Sequence, residues 1–168
     1  MKRQFVSIGD TQLHVRRAGK GPPVILLHPS PQSGAFSEPM LNRLAKNFTA
    51  IAVDTPGYGL SDPLAGGYKG PALDDYLPPL VGLLDALGIE KAAFYGNATG
   101  AEVAHIFAAA HPDRVAAVML DTAGDVSDDF VDKLVDGYFP DVTPRRDGSH
   151  LLTHWDMVRA LNLFAPWQ

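Results

Sequence analysis

The pattern of apolar and polar positions begins with two short alternating stretches, residues 4–8 and 11–17. Alternation with a period of two is typical of strands with one buried face, and Gly9-Asp10 between the stretches has the composition of a tight turn. The start of the chain therefore predicts an antiparallel hairpin. Two continuous apolar runs follow, at residues 24–27 and 49–53. Runs of this kind are typical of strands that are buried on both faces.

Helical spacing of apolar residues alternates with these runs along the next part of the chain. In the stretch 73–87 this spacing continues past Pro78-Pro79, where we expect a break or kink because proline removes a backbone donor. Alternating strands and helices predict a mostly parallel sheet flanked by helices, which is the α/β class. The elements predicted after the hairpin are strands at 24–27, 49–53, 92–95 and 115–120 and helices at 37–47, 73–87 and 99–110.

The pattern changes after Asp121. Residues 127–137 and 151–164 have the spacing of amphipathic helices. We interpret these helices as lying over the sheet rather than extending it. The sequence thus predicts a sheet-containing core at residues 1–124 and a helical part at residues 125–168.

Composition limits the class of partner. Of the 168 residues, 46% are hydrophobic and 20% are charged, as in ordinary globular proteins. The net charge of −5 argues against nucleic acid or an anionic membrane as the main partner, because both require a basic face on the protein. A small molecule is the partner that we expect.

Residue types that are absent narrow the chemistry further. The chain has no Cys, which excludes a disulfide scaffold, a thiolate zinc site and a cysteine nucleophile. No dinucleotide-binding or P-loop motif is present, so we expect no cofactor. His150 and His154 are spaced i, i+4 but lack the H-E-x-x-H pattern, so we expect no metal. No signal peptide or membrane-spanning run is visible, and we expect a cytoplasmic protein.

The segment with the clearest chemical meaning is Gly96-Asn97-Ala98-Thr99-Gly100, where a predicted strand runs directly into a predicted helix. Small residues around the centre of such a turn allow strand and helix to pack closely about a strained dihedral. The start of the helix directs backbone N–H groups and the positive end of its dipole at the turn, which suits a negatively charged oxygen. Taken alone, the glycines could serve packing only.

Three other segments accompany this turn: HPSPQS at residues 28–33, DTPGYGLS at residues 54–61 and HPDRV at residues 111–115. In order and in sequence, they resemble the oxyanion loop, the D-x-x-G-x-G-x-S loop and the helix-to-strand link of the α/β-hydrolases. The G-x-A-x-G turn between them resembles the nucleophile elbow of that family. The resemblance covers residues 24–121 and implies the α/β-hydrolase fold.

The resemblance also assigns roles by position. Ala98 occupies the nucleophile position, and a methyl group cannot attack a carbonyl. The backbone N–H groups of Thr99 and Ser30 would be the oxyanion donors, and His28 would orient its loop from the pocket floor. Pro29 stands where the family has glycine, and proline fixes φ and removes a donor. This chain therefore departs from the family pattern in the oxyanion loop as well as at the nucleophile.

Three explanations of Ala98 are open from the sequence. In the first, Ala98 is an engineered substitution of Ser or Asp. In the second, it is natural, in a branch of the family that works by other means or has lost catalysis. In the third explanation the alignment is displaced by one residue and Thr99 is the nucleophile, although its side chain would leave the turn in another direction. Pro29 is a second departure in the same pocket, which favours a natural origin.

The remaining catalytic groups are incomplete in this sequence. Asp121, after the last predicted strand, is a candidate acid, and a structural loop or cap residue is the alternative. The family's catalytic His follows an eighth strand, whereas six strands are predicted here. We therefore expect a completing chain, the rest of the same gene or a homo-oligomer to supply the missing parts. Residues 125–168 resemble the first half of the family's lid, in which Trp155 and Phe164 would line an apolar substrate pocket or serve only to pack the lid.

The implied function is hydrolysis of an ester, lactone, C–C or similar bond in a small, partly apolar molecule, with this chain a fragment or inactive form. The alternative, from a different functional class, is a catalytically silent protein that binds a small ligand in the same pocket. Replacing Ala98 with Ser discriminates between the two.

Overall fold

The computed structural model describes residues 1–64, 72–123, 141 and 143–159. The chain divides into two compact units, Met1–Gly124 and Asp125–Gln168. The first unit is a mixed six-stranded sheet flanked by helices, in the order β1-β2-β4-β3-β5-β6. This confirms the α/β class predicted from the alternation of strands and helices.

The hairpin at the start of the chain consists of β1 (Lys2–Ile8) and β2 (Thr11–Ala18), which pair antiparallel. Gly9 adopts a φ of 58° in the turn between them, a value that glycine tolerates without strain. Strand β2 also pairs antiparallel with β4 and so joins the hairpin to the rest of the sheet.

Four parallel strands form the rest of the sheet. They are β3 (Pro23–Leu27), β4 (Thr49–Val53), β5 (Ala92–Asn97) and β6 (Val115–Asp121). Strand β3 lies between β4 and β5, so the chain reverses its direction of travel across the sheet after β4. The loops that follow β3 and β5 therefore leave neighbouring strands at the same edge, which is where ligands bind in open α/β sheets.

The helices connect the parallel strands. They are α1 (Glu38–Leu44), α2 (Leu77–Ala86) and α3 (Thr99–Ala110), with short 3₁₀ turns at Leu73–Tyr76 and Pro112–Arg114. The break predicted at Pro78-Pro79 comes earlier in the structure. Both prolines lie in the first turn of α2, where their missing N–H groups would have no intrahelical acceptor, and the irregular turn precedes them.

Two apolar clusters cover the two faces of the sheet. The larger joins β-strand residues to α2 and α3, with Phe94 and Phe107 in ring contact at 4.7 Å between centroids. The smaller packs α1 against the opposite face through Leu41, Leu26 and Ala52. Burial of each large apolar side chain stabilises the fold by about 1.5–3 kcal/mol, so both clusters fix the strand ends that carry the loops.

The second unit contains α4 (Ser149–Arg159) among its described residues. The helix predicted over residues 151–164 thus begins two residues earlier than expected, and its last part lies outside the described residues, as does the helix predicted over 127–137. Among residues 1–64, 72–123 and 143–159, no helix combines the length and the apolar character that a membrane span requires.

Candidate active site

The turn between β5 and α3 (residues 96–100) holds its central residue in a rare conformation. Ala98 has φ 47° and ψ −118°, in the left-handed region that residues with a side chain seldom adopt. Its neighbours require glycine. A Cβ on Gly96 would collide with the backbone of Gly100, and a Cβ on Gly100 would collide with the backbone oxygen of Leu27. The close approach of β3, β5 and α3 therefore depends on the absence of side chains at both positions.

Backbone hydrogen bonds fix Ala98 from both sides. Its amide donates to the backbone oxygen of Asp121 at 2.9 Å, and its carbonyl accepts from the amide of Ala101 at 2.7 Å. Thr99 is the first residue of α3, where an amide has no intrahelical acceptor. Within the described part of the chain, the Thr99 amide donates to no protein group. It remains available to an anionic oxygen in front of the helix.

The loop after β3 (residues 28–33) begins with His28, whose side chain is buried. The amide of Thr55 donates to Nε2 of His28 at 3.1 Å, so this nitrogen carries no proton. Nδ1 then donates to the backbone oxygen of Pro29 at 3.0 Å. Burial lowers the pKa of His28, which keeps the ring neutral. His28 thus ties the β3 loop to the loop after β4.

Ser30 follows at the exposed part of the same loop, and the Ser30–Pro31 peptide bond is cis. The Ser30 hydroxyl donates to the hydroxyl oxygen of Tyr58 at 3.0 Å. The amide of Ser30 donates to no protein group among the residues that the structure describes. The amides of Ser30 and Thr99 thus have no partner among the described residues, and they belong to loops that leave adjacent strands.

A buried carboxylate, Asp54, anchors the loop after β4 (residues 54–61). It accepts hydrogen bonds from Arg16 Nη1 at 2.6 Å and His14 Nδ1 at 3.0 Å. It also accepts from the amides of Gly34 at 2.8 Å and Leu60 at 3.0 Å. Burial alone would raise the pKa of Asp54, but these hydrogen bonds and the Arg16 charge together lower it.

Sequence reasoning missed two members of this cluster, His14 and Arg16. Both are polar residues on one face of β2, and both are buried in the structure. Their spacing of two residues in a strand predicts a shared face, but it does not show that the face is covered. In the sequence, only Asp54 of the D-x-x-G-x-G-x-S loop indicated a partner for His14 and Arg16.

Asp121 lies at the end of β6, where Asn97 is its partner in β5. One oxygen of its carboxylate accepts from the Tyr95 hydroxyl at 2.6 Å and from the Asn97 amide at 3.0 Å. The other oxygen accepts from the Thr122 hydroxyl at 3.1 Å. The Tyr95 hydrogen bond, followed by those of Asn97 and Thr122, lowers the pKa of Asp121. The carboxylate is therefore ionised and held in place.

The structure brings most of the predicted site residues to one edge of the sheet. His28, Pro29 and Ser30 follow β3, and Ala98 and Thr99 follow its neighbour β5, where Leu27 pairs with Gly96. Asp121 ends the next strand, β6. The roles that the resemblance gives to these residues remain predictions.

The two predicted lid residues belong to the second unit. Trp155 lies on α4, and its side chain is exposed, whereas Phe164 lies outside the described residues. His150 accepts a hydrogen bond at Nδ1 from the amide of Arg145 at 3.0 Å. In the part of the chain that the structure describes, no group of three or more His, Asp or Glu side chains is arranged to hold a metal ion.

Comparison with known proteins places this geometry in context. The family model described as the alpha/beta hydrolase fold matches residues 22–162. Over 114 residues the chain is 38% identical to 2-(acetamidomethylene)succinate hydrolase of Mesorhizobium japonicum, a match that covers 68% of this chain and 40% of that protein. Epoxide hydrolase 3 of Siraitia grosvenorii is 35% identical over 115 residues, covering 68% of this chain and 36% of that protein.

Comparison with solved structures also finds a hydrolase. The crystal structure of E-2-(acetamidomethylene)succinate hydrolase superposes with a TM-score of 0.70 and 34% identity, over 79% of this chain and 49% of that one. In each of these matches the aligned part is less than half of the relative's length.

Proposed function

Because the chain belongs to the α/β-hydrolase family, we propose that its β5–α3 turn and β3 loop form a carbonyl-binding site of a hydrolase in a form that lacks the nucleophile. In the proposal the amides of Thr99 and Ser30 bind the oxygen that becomes negatively charged during hydrolysis. The substrate is an ester, lactone or related small, partly apolar molecule. Ala98 stands at the point of attack and leaves such a molecule bound but intact.

The observation that carries the proposal is the conformation of Ala98. A strained φ of 47° at a residue other than glycine costs about 1–3 kcal/mol and persists only where the surroundings enforce it. The alanine side chain itself gains nothing from this conformation, which the backbone hydrogen bonds on both sides impose. A side chain that must be presented at the start of a helix does require it. This conformation supports the proposal that the turn is a nucleophile elbow in which alanine replaces the nucleophile.

The two free amides support the second part of the proposal. A preorganised donor of this kind contributes about 2.7–4 kcal/mol to the transition state of acyl transfer. The donors are backbone groups, so replacing the nucleophile by alanine leaves them in place. We therefore expect affinity for carboxylates, which carry the same negatively charged oxygen as the reaction intermediates.

Titration of the ¹⁵N-labelled protein with butyrate tests the carbonyl-binding site. The expected result is a saturable shift of the Ser30 and Thr99 amide resonances with one shared dissociation constant. The amide of Gly34 serves as an internal control because it already donates to Asp54. If neither Ser30 nor Thr99 shifts in a saturable way, the proposal is wrong.

The substitution Ala98→Ser tests the missing nucleophile. Incubation with p-nitrophenyl butyrate and imidazole as an added base should acylate the introduced hydroxyl. Its oxygen bonds to the carbonyl carbon, its proton passes to imidazole, and p-nitrophenolate leaves. Mass spectrometry then locates the acyl group on the peptide that contains position 98. Ala109→Ser, a matched change at an exposed position of α3, should give no adduct.

A second candidate function is a catalytically silent protein that binds a small ligand. The observation that favours it is Ala98 itself, since its methyl group at the centre of the turn cannot attack a carbonyl. Butyrate binding combined with an unreactive Ala98→Ser variant would support this function and reject the hydrolase site.

We further propose that additional strands complete the sheet beside β6, from another chain or from a longer form of this one. The support is the exposure of Val118, Met119 and Leu120, with Met119 63% exposed. Apolar strands with this exposure tend to associate through their edges and faces. Native mass spectrometry tests the idea, and a stable folded monomer with the mass of this chain alone would reject it.

A further inference from the structure

Tyr58 joins the β4 loop to the two residues that flank Pro29 in the β3 loop. Its hydroxyl oxygen accepts the hydrogen bond from Ser30 at 3.0 Å. Its ring meets the ring of His28 edge to face, with 5.5 Å between centroids and 72° between planes. One side chain therefore contacts the β3 loop both at its buried start and at its exposed part.

The Tyr58 backbone is held more firmly than that of Ser30. Its amide donates to the backbone oxygen of Thr55 at 2.9 Å, and its carbonyl accepts from the amide of Ser61 at 3.1 Å. The same loop is bound to buried Asp54 through the amide of Leu60. Tyr58 thus belongs to a fixed part of the fold.

Ser30 has fewer attachments of its own. The described backbone hydrogen bond of its turn runs from the amide of Gln32 to the oxygen of Pro29 and passes over Ser30. Pro29 and Pro31 have no amide to donate. The Ser30 side chain is consequently the point at which the rest of the fold can orient the Ser30 amide.

A second phenol, that of Tyr76, lies near Tyr58. Tyr76 is buried at the end of the 3₁₀ turn before α2. Burial, followed by the neighbouring Tyr58 hydroxyl, raises the pKa of Tyr76 to about 12. Tyr76 therefore stays neutral at physiological pH and retains its hydroxyl hydrogen as a donor.

We propose that Tyr58 is a positioning residue for the carbonyl-binding site, because its hydroxyl holds Ser30 with the amide directed at the ligand. This inference rests on the proposed function, since it assigns a cause to the orientation of one of the two donors. Tyr58 itself touches no reacting atom in the proposal. Its effect reaches the ligand through Ser30.

The size of the effect follows from the exposure of the hydrogen bond. A neutral hydrogen bond contributes about 0.5–1.5 kcal/mol, and the lower part of that range applies where water can replace the partner. Removal of the Tyr58 hydroxyl should therefore weaken butyrate binding ~3-fold. The ring contact with His28 is retained in phenylalanine, so the packing of the β3 loop against the ring should be kept.

The experiment compares butyrate affinity in Tyr58→Phe, in Ser30→Ala and in the double variant, by the amide titration described above. Each single variant removes one half of the same hydrogen bond, so the double variant should bind as weakly as either single variant. In the unliganded protein, the amide resonance of residue 30 should move and that of Thr99 should not. Ser7→Ala, which removes an exposed hydroxyl from β1, is the control and should bind like the unsubstituted protein.

The outcomes separate this inference from the proposed function. If the unsubstituted protein does not bind butyrate, the proposed function fails and the inference fails with it. If it binds, and Tyr58→Phe binds equally well with an unmoved residue-30 resonance, only the inference is overturned. Additive losses in the double variant also overturn it, because the two side chains would then act separately. Should Tyr58→Phe fail to fold, Ser30→Ala decides through butyrate affinity, which should fall ~3-fold, and an unchanged affinity would overturn the inference.

Discussion

The backbone amide of Ala98 donates a hydrogen bond to the backbone oxygen of Asp121, 2.9 Å away. The bond joins the turn after β5 to Asp121, the last paired residue of β6. It acts on a residue whose φ of 47° is costly for alanine. The neighbouring strand thus helps to impose the conformation that would present a nucleophile.

The strain at Ala98 predicts that Ala98→Gly stabilises the protein. Glycine adopts the same dihedrals without the Cβ clash, which removes about 1–3 kcal/mol of strain. Greater freedom of the unfolded chain offsets about 0.5–1 kcal/mol of this. We expect a net gain of about 1 kcal/mol in the free energy of unfolding, measured by urea denaturation.

The control for this prediction is Ala109→Gly, at an exposed position of α3 with helical geometry. There the same change should destabilise by about 1 kcal/mol. Equal losses at both positions would show that Ala98 is not strained.

Close packing at Gly100 predicts a large penalty for a single methyl group. A Cβ at this position would meet the backbone oxygens of Leu27 and His28, which cannot move without displacing β3 and its loop. Gly100→Ala should therefore destabilise by about 1–3 kcal/mol, although alanine is the better helix former.

Gly82→Ala in α2 is the matched variant, because the added methyl group would there meet the side chain of Ile8 rather than backbone. Ile8 can move more easily, so we expect the smaller loss. Thermal unfolding of both variants measures the difference, and a loss at Gly82 equal to or above that at Gly100 would contradict the interpretation.

The fold could be predicted from the sequence because its signals are local. The predicted strand at 49–53 and helix at 99–110 agree with β4 and α3 to the residue. Burial on both faces makes a strand continuously apolar, and the close approach at Gly96 and Gly100 excludes side chains. Each of these physical requirements restricts the residue types that can occupy the positions concerned, so it can be recognised in the sequence.

Polar contacts between residues that are far apart in the sequence cannot be recognised in this way. Arg16 and Asp54 are separated by 38 positions, and their contact depends on the antiparallel pairing of β2 with β4. The Ser30–Tyr58 hydrogen bond likewise depends on how the loops after β3 and β4 are placed beside each other. The sequence could indicate which loops carry chemistry, but it could not show which side chains hold them together.

The buried Asp54 cluster predicts a strong dependence of stability on one carboxylate. Asp54→Asn removes the charge that balances Arg16 and places amide hydrogens against the donating amides of Gly34 or Leu60. Breaking a buried pair in this way costs about 3–5 kcal/mol. Urea denaturation should show a loss of that order.

The matched control is Asp85→Asn, since Asp85 pairs with Arg114 at 2.7 Å but is 62% exposed. An exposed pair contributes about 1 kcal/mol at most. Losses of similar size at the two positions would contradict the assignment of Asp54 as the anchor of the loop after β4.

The environment of His28 predicts how stability depends on pH. Burial lowers its pKa in the folded protein below the value of about 6.5 that applies when the chain is unfolded. Between these two pKa values the unfolded state binds more protons than the folded state. Lowering the pH therefore favours the unfolded state and reduces the free energy of unfolding. The stabilising contribution of neutral His28 is thus fully present above pH 6.5 and is lost as the pH drops toward the folded pKa.

His28→Gln removes this titration together with the bonds to Thr55 and Pro29. The variant should be less stable than the unsubstituted protein at pH 7.5, and the difference should shrink as the pH falls to 5. His105→Gln makes the same chemical change at an exposed position of α3, so comparing the two variants isolates the contribution of burial. Unfolding midpoints measured across this range provide the test. A difference between His28→Gln and the unsubstituted protein that is constant or grows toward pH 5 would mean that His28 is not held neutral, and its proposed hydrogen-bonding arrangement would be wrong.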